Sequence, residues 1–263
     1  MHKINNIKRN ILRRRINISS LNFQNEMSIK GNKIDVNEKG ITINELMPIE
    51  IKNKEFDLLM SMYKRASNQV LEMLNGVNCE YKNIFKKDII NHIISRIKAP
   101  KSILNKMKNK GLELNYKNLV NNINDIAGVR VICSDKEDIY AMVNIIKKVP
   151  NWNLIIEKDY IQNSKKSGYS GYHMIVEVPV RIEETDSKES HYLSNLIFVK
   201  VEIQIRTIAM DFWATHEHKI KYKTEKKLSF LDSKKLILYA KVINIIDNKF
   251  AKMSKKNNIS EYI

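Results

Sequence analysis

The chain has 263 residues, 43% of them apolar, and a formal net charge of +17. That length suffices for a sizeable core, and the surplus of cations points to a polyanionic partner: nucleotides, RNA or tRNA, or an acidic protein. No apolar run approaches the ~18–20 residues of a membrane span, and the basic start through Arg15 lacks the apolar stretch of a signal peptide. With Cys79 and Cys133 outside any CxxC or Cys/His cluster, the expectation is a cytoplasmic protein with reduced thiols, no membrane association, no zinc site and no disulfide framework.

Residues 1–53 mix Asn, Lys and Ser with scattered apolar side chains and read as a basic, weakly structured extension. From Lys54 the pattern changes: Phe56, Leu59, Tyr63, Ala66, Val70 and Leu74 recur at steps of three and four, predicting an amphipathic helix that stops at Gly76. A second helix is predicted over residues 85–97, and a third opens with Pro100 in its first turn. After Lys110 strands and helices alternate. A short buried strand fits residues 129–133, and Ser134 with Glu137 forms a capping box for a helix running towards Pro150. Further strands fit residues 153–160, 172–178 and 198–206, with a polar loop over 183–190. Two last helices are predicted over residues 207–222 and 233–253, the latter with an apolar face from Leu236, Leu238, Val242, Ile245 and Ile246 that could meet the core or another subunit. Strands of about 5–8 residues between helices of about 12–16 predict an α/β (α+β) fold, a mixed β-sheet flanked by helices. The division is an extension over 1–53, one domain over 54–255 and a tail over 256–263.

The strand over 198–206 carries the most information. Side chains alternate along a strand, so Val199, Val201, Ile203 and Ile205 point one way and Lys200, Glu202, Gln204 and Arg206 the other. A strand this rich in Val and Ile, running straight into an apolar helix, is expected to turn its polar row towards a site. The chain has seven glycines and neither GxxxxGK[ST] nor GxGxxG, so any phosphates must be held by cationic side chains. Ser95, Arg96, Lys98, Lys101 and Ser102 cluster around the corner at Pro100, and Lys106 shares a helix face with Ser102 four residues earlier. Asp125 before one strand and Glu202 on another could hold Mg²⁺ together with phosphate oxygens. These parts suit phosphoryl-type transfer, with a carboxylate to accept a hydroxyl proton. In the loop over 165–173, Gly168 and Gly171 bracket Tyr169 and Ser170 beside Lys165 and Lys166, a turn that would present an aromatic face for stacking a base.

Residues 95–98, 125–130, 158–161, 168–173, 201–207 and 210–219, the last containing Met210, Asp211, Phe212, Trp213 and Ala214, together resemble the synthetase domain of the RelA/SpoT alarmone synthetases, most closely the small single-domain members. The resemblance covers about residues 55–255. It implies a nucleotidyltransferase-like mixed sheet with terminal helices, and transfer of the β,γ-pyrophosphate of ATP to the 3′-hydroxyl of GTP, GDP or GMP with release of AMP. It further implies that Arg96, Lys98, Ser102, Lys106 and Arg130 contact ATP and that Asp125 and Glu202 hold Mg²⁺, with Glu202 also the base; Asp125, Glu202 and Arg130 form the catalytic set. On the acceptor side it implies stacking by Tyr169, with Lys158, Lys165 and His173 near phosphates and ribose and Gln204 and Ala214 lining the pocket. Small members resemble homotetramers joined through terminal helices.

Members that hydrolyse alarmones carry a separate His/Asp metal domain; no His precedes an Asp in this chain, and a synthetase alone is expected. Where the small synthetases read Pro-Lys and Gly-Tyr-Arg-Ser, this chain has Ser164-Lys165 and Gly168-Tyr169-Ser170-Gly171, one cation fewer beside the acceptor. A related toxic branch with a similar core modifies the 3′ end of tRNA, and the basic surplus suits that alternative as well. A catalytically silent nucleotide- or RNA-binding module is the third reading, against which the intact set Arg96, Lys98, Asp125 and Glu202 argues.

Overall fold

A computed structural model describes Ile49 and residues 54–181, 196–223 and 229–260, of which 221–223 and 255–260 are described by backbone alone. The expected N-terminal extension apart from Ile49, the polar loop over 183–190 and residues 261–263 lie outside the described residues. The elements run α1 (Lys54–Phe85), β1 (Ile90–Ile97), α2 (Pro100–Asn109), α3 (Tyr116–Asn122), β2 (Ala127–Cys133), α4 (Lys136–Ile146), β3 (Asn153–Asp159), β4 (Tyr172–Arg181), β5 (Leu196–Thr207), α5 (Ile208–Lys223) and α6 (Phe230–Ser260). The five strands form one mixed sheet in the order β1-β2-β5-β4-β3, with β2 and β5 parallel and the other neighbours antiparallel. No helix among the described residues is long and apolar enough to cross a membrane.

The predicted first helix is longer than its sequence suggests. It runs through Gly76, because Val77 and Tyr81 continue the buried face set by Phe56, Leu59, Tyr63, Ala66, Val70 and Leu74. Burying two such side chains is worth about 1.5–3 kcal/mol each, against about 1 kcal/mol for a glycine inside a helix. The chain reverses at Lys86, in the left-handed region at φ 56°, and the Asn78 side chain accepts from Ile89 N and Ile90 N at 3.0 and 2.9 Å. The next element, β1, is a strand, which corrects the helix expected over 85–97. The apolar spacing there mimics a helix, but pairing with β2 puts Ile93 and Ile97 on one face and Ile94 and Arg96 on the other.

Smaller corrections have local causes. Asp135, not Ser134, caps α4, its carboxylate accepting from Glu137 N and Asp138 N at 2.9 and 3.0 Å. The short α3 was not anticipated; Asn115 caps it by accepting from Asn118 N at 2.8 Å. The strand expected over 172–178 continues to Arg181 through Pro179, which is tolerated because β3 pairs only as far along β4 as Glu177. The last helix reaches Ser260 instead of stopping near 253.

One face of the sheet carries the core. Val129, Val131, Met174, Val176, Val199, Val201, Ile203 and Ile205 are buried there with the inner faces of α1 and α4. The other face carries the charged rows. Cys79 is exposed and Cys133 buried, both free.

Candidate active site

Strand register builds the site. Residues paired across a sheet share a face, so Arg96, Gly128, Glu202 and Ile175 form one row, and Ile94, Arg130, Gln204, His173 and Lys158 the next. Gly128 has no side chain to stand between Arg96 and Glu202, which leaves the sheet surface open beside the carboxylate. The polar row of β5 therefore lies on the face opposite the core, as its alternation predicts, and one of its members is tied down locally. Lys200 turns away to donate to the carbonyls of Val120 and Asn121 at the end of α3, both at 3.2 Å.

The basic corner assembles at the end of β1. Lys98 N donates to Ile126 O at 2.8 Å, fixing the corner against the start of β2, and Ser102 N donates to Ala99 O at 2.9 Å in the first turn of α2. Lys98 and Lys106 both place Nζ 2.7 Å from Oδ2 of Asp125. Burial raises the affinity of that carboxyl for a proton, but the two lysines outweigh it and hold Asp125 below the usual carboxylate range. Its second oxygen, Oδ1, is buried without a hydrogen-bond partner. Arg96 and Ser102 are exposed at the rim.

Glu202 lies in the same row as Arg96. His173 Nδ1 stands 3.3 Å from Oε1, and Gln204 Nε2 donates to Oε2 at 3.0 Å. Burial pushes the Glu202 carboxyl up, whereas His173 and Gln204 together pull it below its ordinary value. An Asp125 charge near enough to act on Glu202 puts the two carboxylates in one electrostatic environment. Arg130 meets Asp211 at 3.3 Å, and its Nε is buried without a partner.

The loop between β3 and β4 is a glycine turn, closed by Gly168 N to Lys165 O at 2.8 Å and Lys165 N to Tyr169 O at 3.0 Å, with Gly168 at φ 90°. Tyr169 does not present a free aromatic face, as the sequence suggested; it is only 9% exposed. Its ring meets Tyr160 and His173 edge-on, and Lys165 Nζ sits 4.5 Å from the Tyr160 ring centre and 4.8 Å from that of Tyr169. The physical cause is a second small core of Tyr169, Trp213, Ala214 and Leu236, which places the predicted Ala214 beside Tyr169. Lys158 is exposed on β3 opposite His173.

Three site residues have no assigned role from sequence alone. Tyr160 ends a strand and is aromatic, a weak signal. Arg206 lies on the polar row but without a partner that the sequence could name. Asp211 stands in a motif that carries the resemblance, but nothing there names its partners, because its pairing with Arg130 and Arg206 crosses from helix to sheet.

Comparison with known proteins adds an independent line. A family model described as "Region found in RelA / SpoT proteins" matches residues 95–227. GTP pyrophosphokinase YwaC of Bacillus subtilis (strain 168) is 38% identical over 195 residues, 74% of this chain and 88% of that protein. GTP pyrophosphokinase YjbM of the same organism is 33% identical over 171 residues, 65% of this chain and 75% of that protein. Among solved structures, small alarmone synthetase 1 from Bacillus subtilis bound to its product pppGpp superposes with a TM-score of 0.67 at 27% identity, covering 78% of this chain and 98% of that one. Small alarmone synthetase 2 from Bacillus subtilis gives 0.66 at 35% identity, covering 77% of this chain and all of that one (100%).

Proposed function

This chain belongs to the RelA/SpoT family, and from that premise we propose that it is a GTP/GDP diphosphokinase that makes guanosine alarmones by transferring the β,γ-pyrophosphate of ATP to the 3′-hydroxyl of a guanosine 5′-phosphate. The observation that carries the reading is Glu202, a depressed carboxylate held between a cationic corner and a tyrosine-bearing loop. The relatives named above are GTP pyrophosphokinases and small alarmone synthetases. The tRNA-directed alternative gains no specific support from them.

Arg96, Lys98, Ser102, Lys106 and Arg130 take the ATP polyphosphate at the corner, where converging cations offset the charge that builds up in transfer. Lys165, Tyr169, His173, Gln204, Ala214 and Lys158 take the acceptor. Lys165 Nζ lies over the Tyr160 and Tyr169 rings, so stacking of the acceptor guanine on Tyr169 calls for Lys165 to move from the ring towards the acceptor's phosphates. The acceptor 3′-oxygen attacks the β-phosphorus, its proton passes to Glu202, the bond from β-phosphorus to the α,β-bridging oxygen breaks, and AMP departs. Fixing two nucleotides in that geometry supplies much of the acceleration.

The donor set suits Mg²⁺. The described residues contain no group of three or more His, Cys, Asp or Glu able to hold a metal alone, but Asp125 Oδ1 is buried with no partner and both carboxylates sit low. Two hard oxygen donors completed by phosphate oxygens and water are what Mg²⁺ accepts. Asp125 and Glu202 would hold it, and the ion would supply charge neutralisation on the phosphates.

The outer face of α6 exposes Leu238, Tyr239, Val242, Ile245, Ile246, Phe250 and Met253, and this stripe is proposed to join copies of the chain into a homo-oligomer of tetramer size. The function is tested with γ-labelled ATP, Mg²⁺, a mixture of GMP, GDP and GTP, and deacylated tRNA. Label on a guanosine nucleotide, lost in Glu202→Gln, supports it; label on tRNA, or full transfer by Glu202→Gln, overturns it.

A further inference from the structure

Both oxygens of Glu202 trace back to one buried guanidinium. Arg206 is 6% exposed. Its Nε and Nη2 donate to the Tyr169 hydroxyl at 3.1 and 2.9 Å, Nη2 also donates to Gln204 Oε1 at 2.8 Å, and Nη1 donates to Asp211 Oδ1 at 2.9 Å. The side chains close a ring: Arg206, Tyr169, His173, Glu202, Gln204 and back to Arg206.

Donor and acceptor chemistry gives the ring a direction. An arginine only donates, so two of its N–H groups fill the lone pairs of the Tyr169 oxygen. The phenolic hydrogen must then go outward, to His173 Nε2 at 2.5 Å. With Nε2 accepting, neutral His173 carries its hydrogen on Nδ1 and donates it to Glu202 Oε1. On the other arm, Gln204 Oε1 accepts from Arg206, which orients the amide so that Nε2–H donates to Glu202 Oε2. Each oxygen of Glu202 therefore receives one hydrogen bond, which fixes the plane of its carboxyl group. Asp211 fixes the origin of both arms and contacts Arg130 at 3.3 Å as well, linking the ring to the proposed ATP side.

We propose that Arg206, pinned by Asp211, is a positioning residue that sets the His173 tautomer and the Gln204 amide orientation, and so holds the Glu202 side chain in one orientation, aligned with Tyr169. The inference rests on the reading of Glu202 as the base and Tyr169 as the acceptor contact. Arg206 touches neither substrate; it acts through the ring.

The test has two arms on the full-length protein, with folding of each variant checked by its thermal transition. In the first, ¹⁵N-histidine NMR at about pH 8, without nucleotide, identifies the protonated nitrogen of His173, assigned with His173→Gln. Wild type is expected to show hydrogen on Nδ1, and both Arg206→Lys, which lacks the fork, and Tyr169→Phe are expected to lose that signature. Hydrogen on Nε2 in wild type, or an unchanged signature in both variants, overturns the proposal whether or not the protein turns over. In the second arm, Arg206→Lys is expected to lower kcat by about tenfold to a hundredfold and raise the acceptor KM, with the ATP KM within about twofold of wild type. Combining Arg206→Lys with Tyr169→Phe should cost little more than Arg206→Lys alone, because that change already cuts the arm through Tyr169. Additive losses, or equal increases in both KM values, contradict the proposal; absence of transfer by wild type would instead defeat the functional reading and leave the NMR arm to decide this one.

Discussion

Gly168 lies against Ile237 and Ala240 of α6, and Gly168→Ala tests whether that helix seats the acceptor loop. A Cβ built on Gly168 would lie 2.7 Å from Ala240 Cβ and 3.5 Å from both Ile237 Cα and Trp213 Cζ2, at a backbone φ of 90°. Holding an alanine in left-handed backbone costs about 1–2 kcal/mol, and the overlap with Ala240 adds a further ~1–3 kcal/mol of overpacking. The expected destabilisation is therefore about 2–5 kcal/mol. Ala240→Gly removes the atom that is struck but not the backbone strain, and by itself costs about 1 kcal/mol as a glycine inside a helix. The double variant should then recover about 1–3 kcal/mol relative to the sum of the singles. Urea unfolding of all four proteins at one protein concentration reads this coupling. Acceptor and ATP KM values read its site: Gly168→Ala should raise the former more than the latter. Strict additivity in stability, with equal effects on the two KM values, would refute the idea that α6 holds the acceptor loop.

Asp138 gives a pH prediction. Its carboxyl, 3% exposed, is raised from 3.8 to about 6 by burial first and by Asp135 next, with Lys87 opposing. A raised value in the folded state means the neutral form is favoured: its contribution is full below 3.8 and is lost as pH rises through about 6. A rise of roughly two units corresponds to about 3 kcal/mol, so Asp138→Asn, which keeps an oxygen for Lys87, should be more stable than wild type by up to that amount above pH 7. Near pH 4 the gain should vanish, and a pH-independent difference in thermal midpoint would refute the assignment. Lys106→Ala should raise the ATP KM by about tenfold while the acceptor KM moves little, since a hydrogen bond from this half-buried lysine to a charged group is worth about 1.5 kcal/mol; the reverse pattern would misplace the ATP corner. Val242→Glu with Ile246→Glu puts two charges on the exposed stripe of α6 and should reduce the mass measured by light scattering to a smaller integral multiple of 30.9 kDa, where an unchanged mass argues against that interface.

The strand expected over 198–206, observed as Leu196–Thr207, was legible because apolar and polar residues alternate from Val199 to Arg206, and the buried Val201, Ile203 and Ile205 opposite the polar Glu202 and Gln204 agree with it. The corner at Lys98, Pro100 and Lys106 was legible because proline fixes a turn and helical spacing aligns the cations. The region over 85–97 was misread because Ile89, Ile90, Ile93, Ile94 and Ile97 satisfy a helical period, and only the long-range pairing with Ala127–Cys133 makes it a strand. Gly76 failed as a stop signal for a related reason: tertiary burial of Val77 and Tyr81 overrides local propensity. In the site, Asp211 and Arg206 were illegible as a pair because their contact exists only after the strand-to-helix turn brings them together. The inward packing of Tyr169 depends on Trp213 and Leu236, more than forty residues away in the chain, which no local pattern reports.

The most direct test of the account is the chemical identity of both products from ATP, Mg²⁺ and a single guanosine nucleotide. Quantitative ³¹P NMR with mass spectrometry should find one AMP for each guanosine product, and that product should carry a diphosphate on its 3′-oxygen. ADP in place of AMP would mean that the bond broken is not the one from β-phosphorus to the α,β-bridging oxygen, and the assignment of Glu202, the cationic corner and the acceptor loop to pyrophosphate transfer would be wrong.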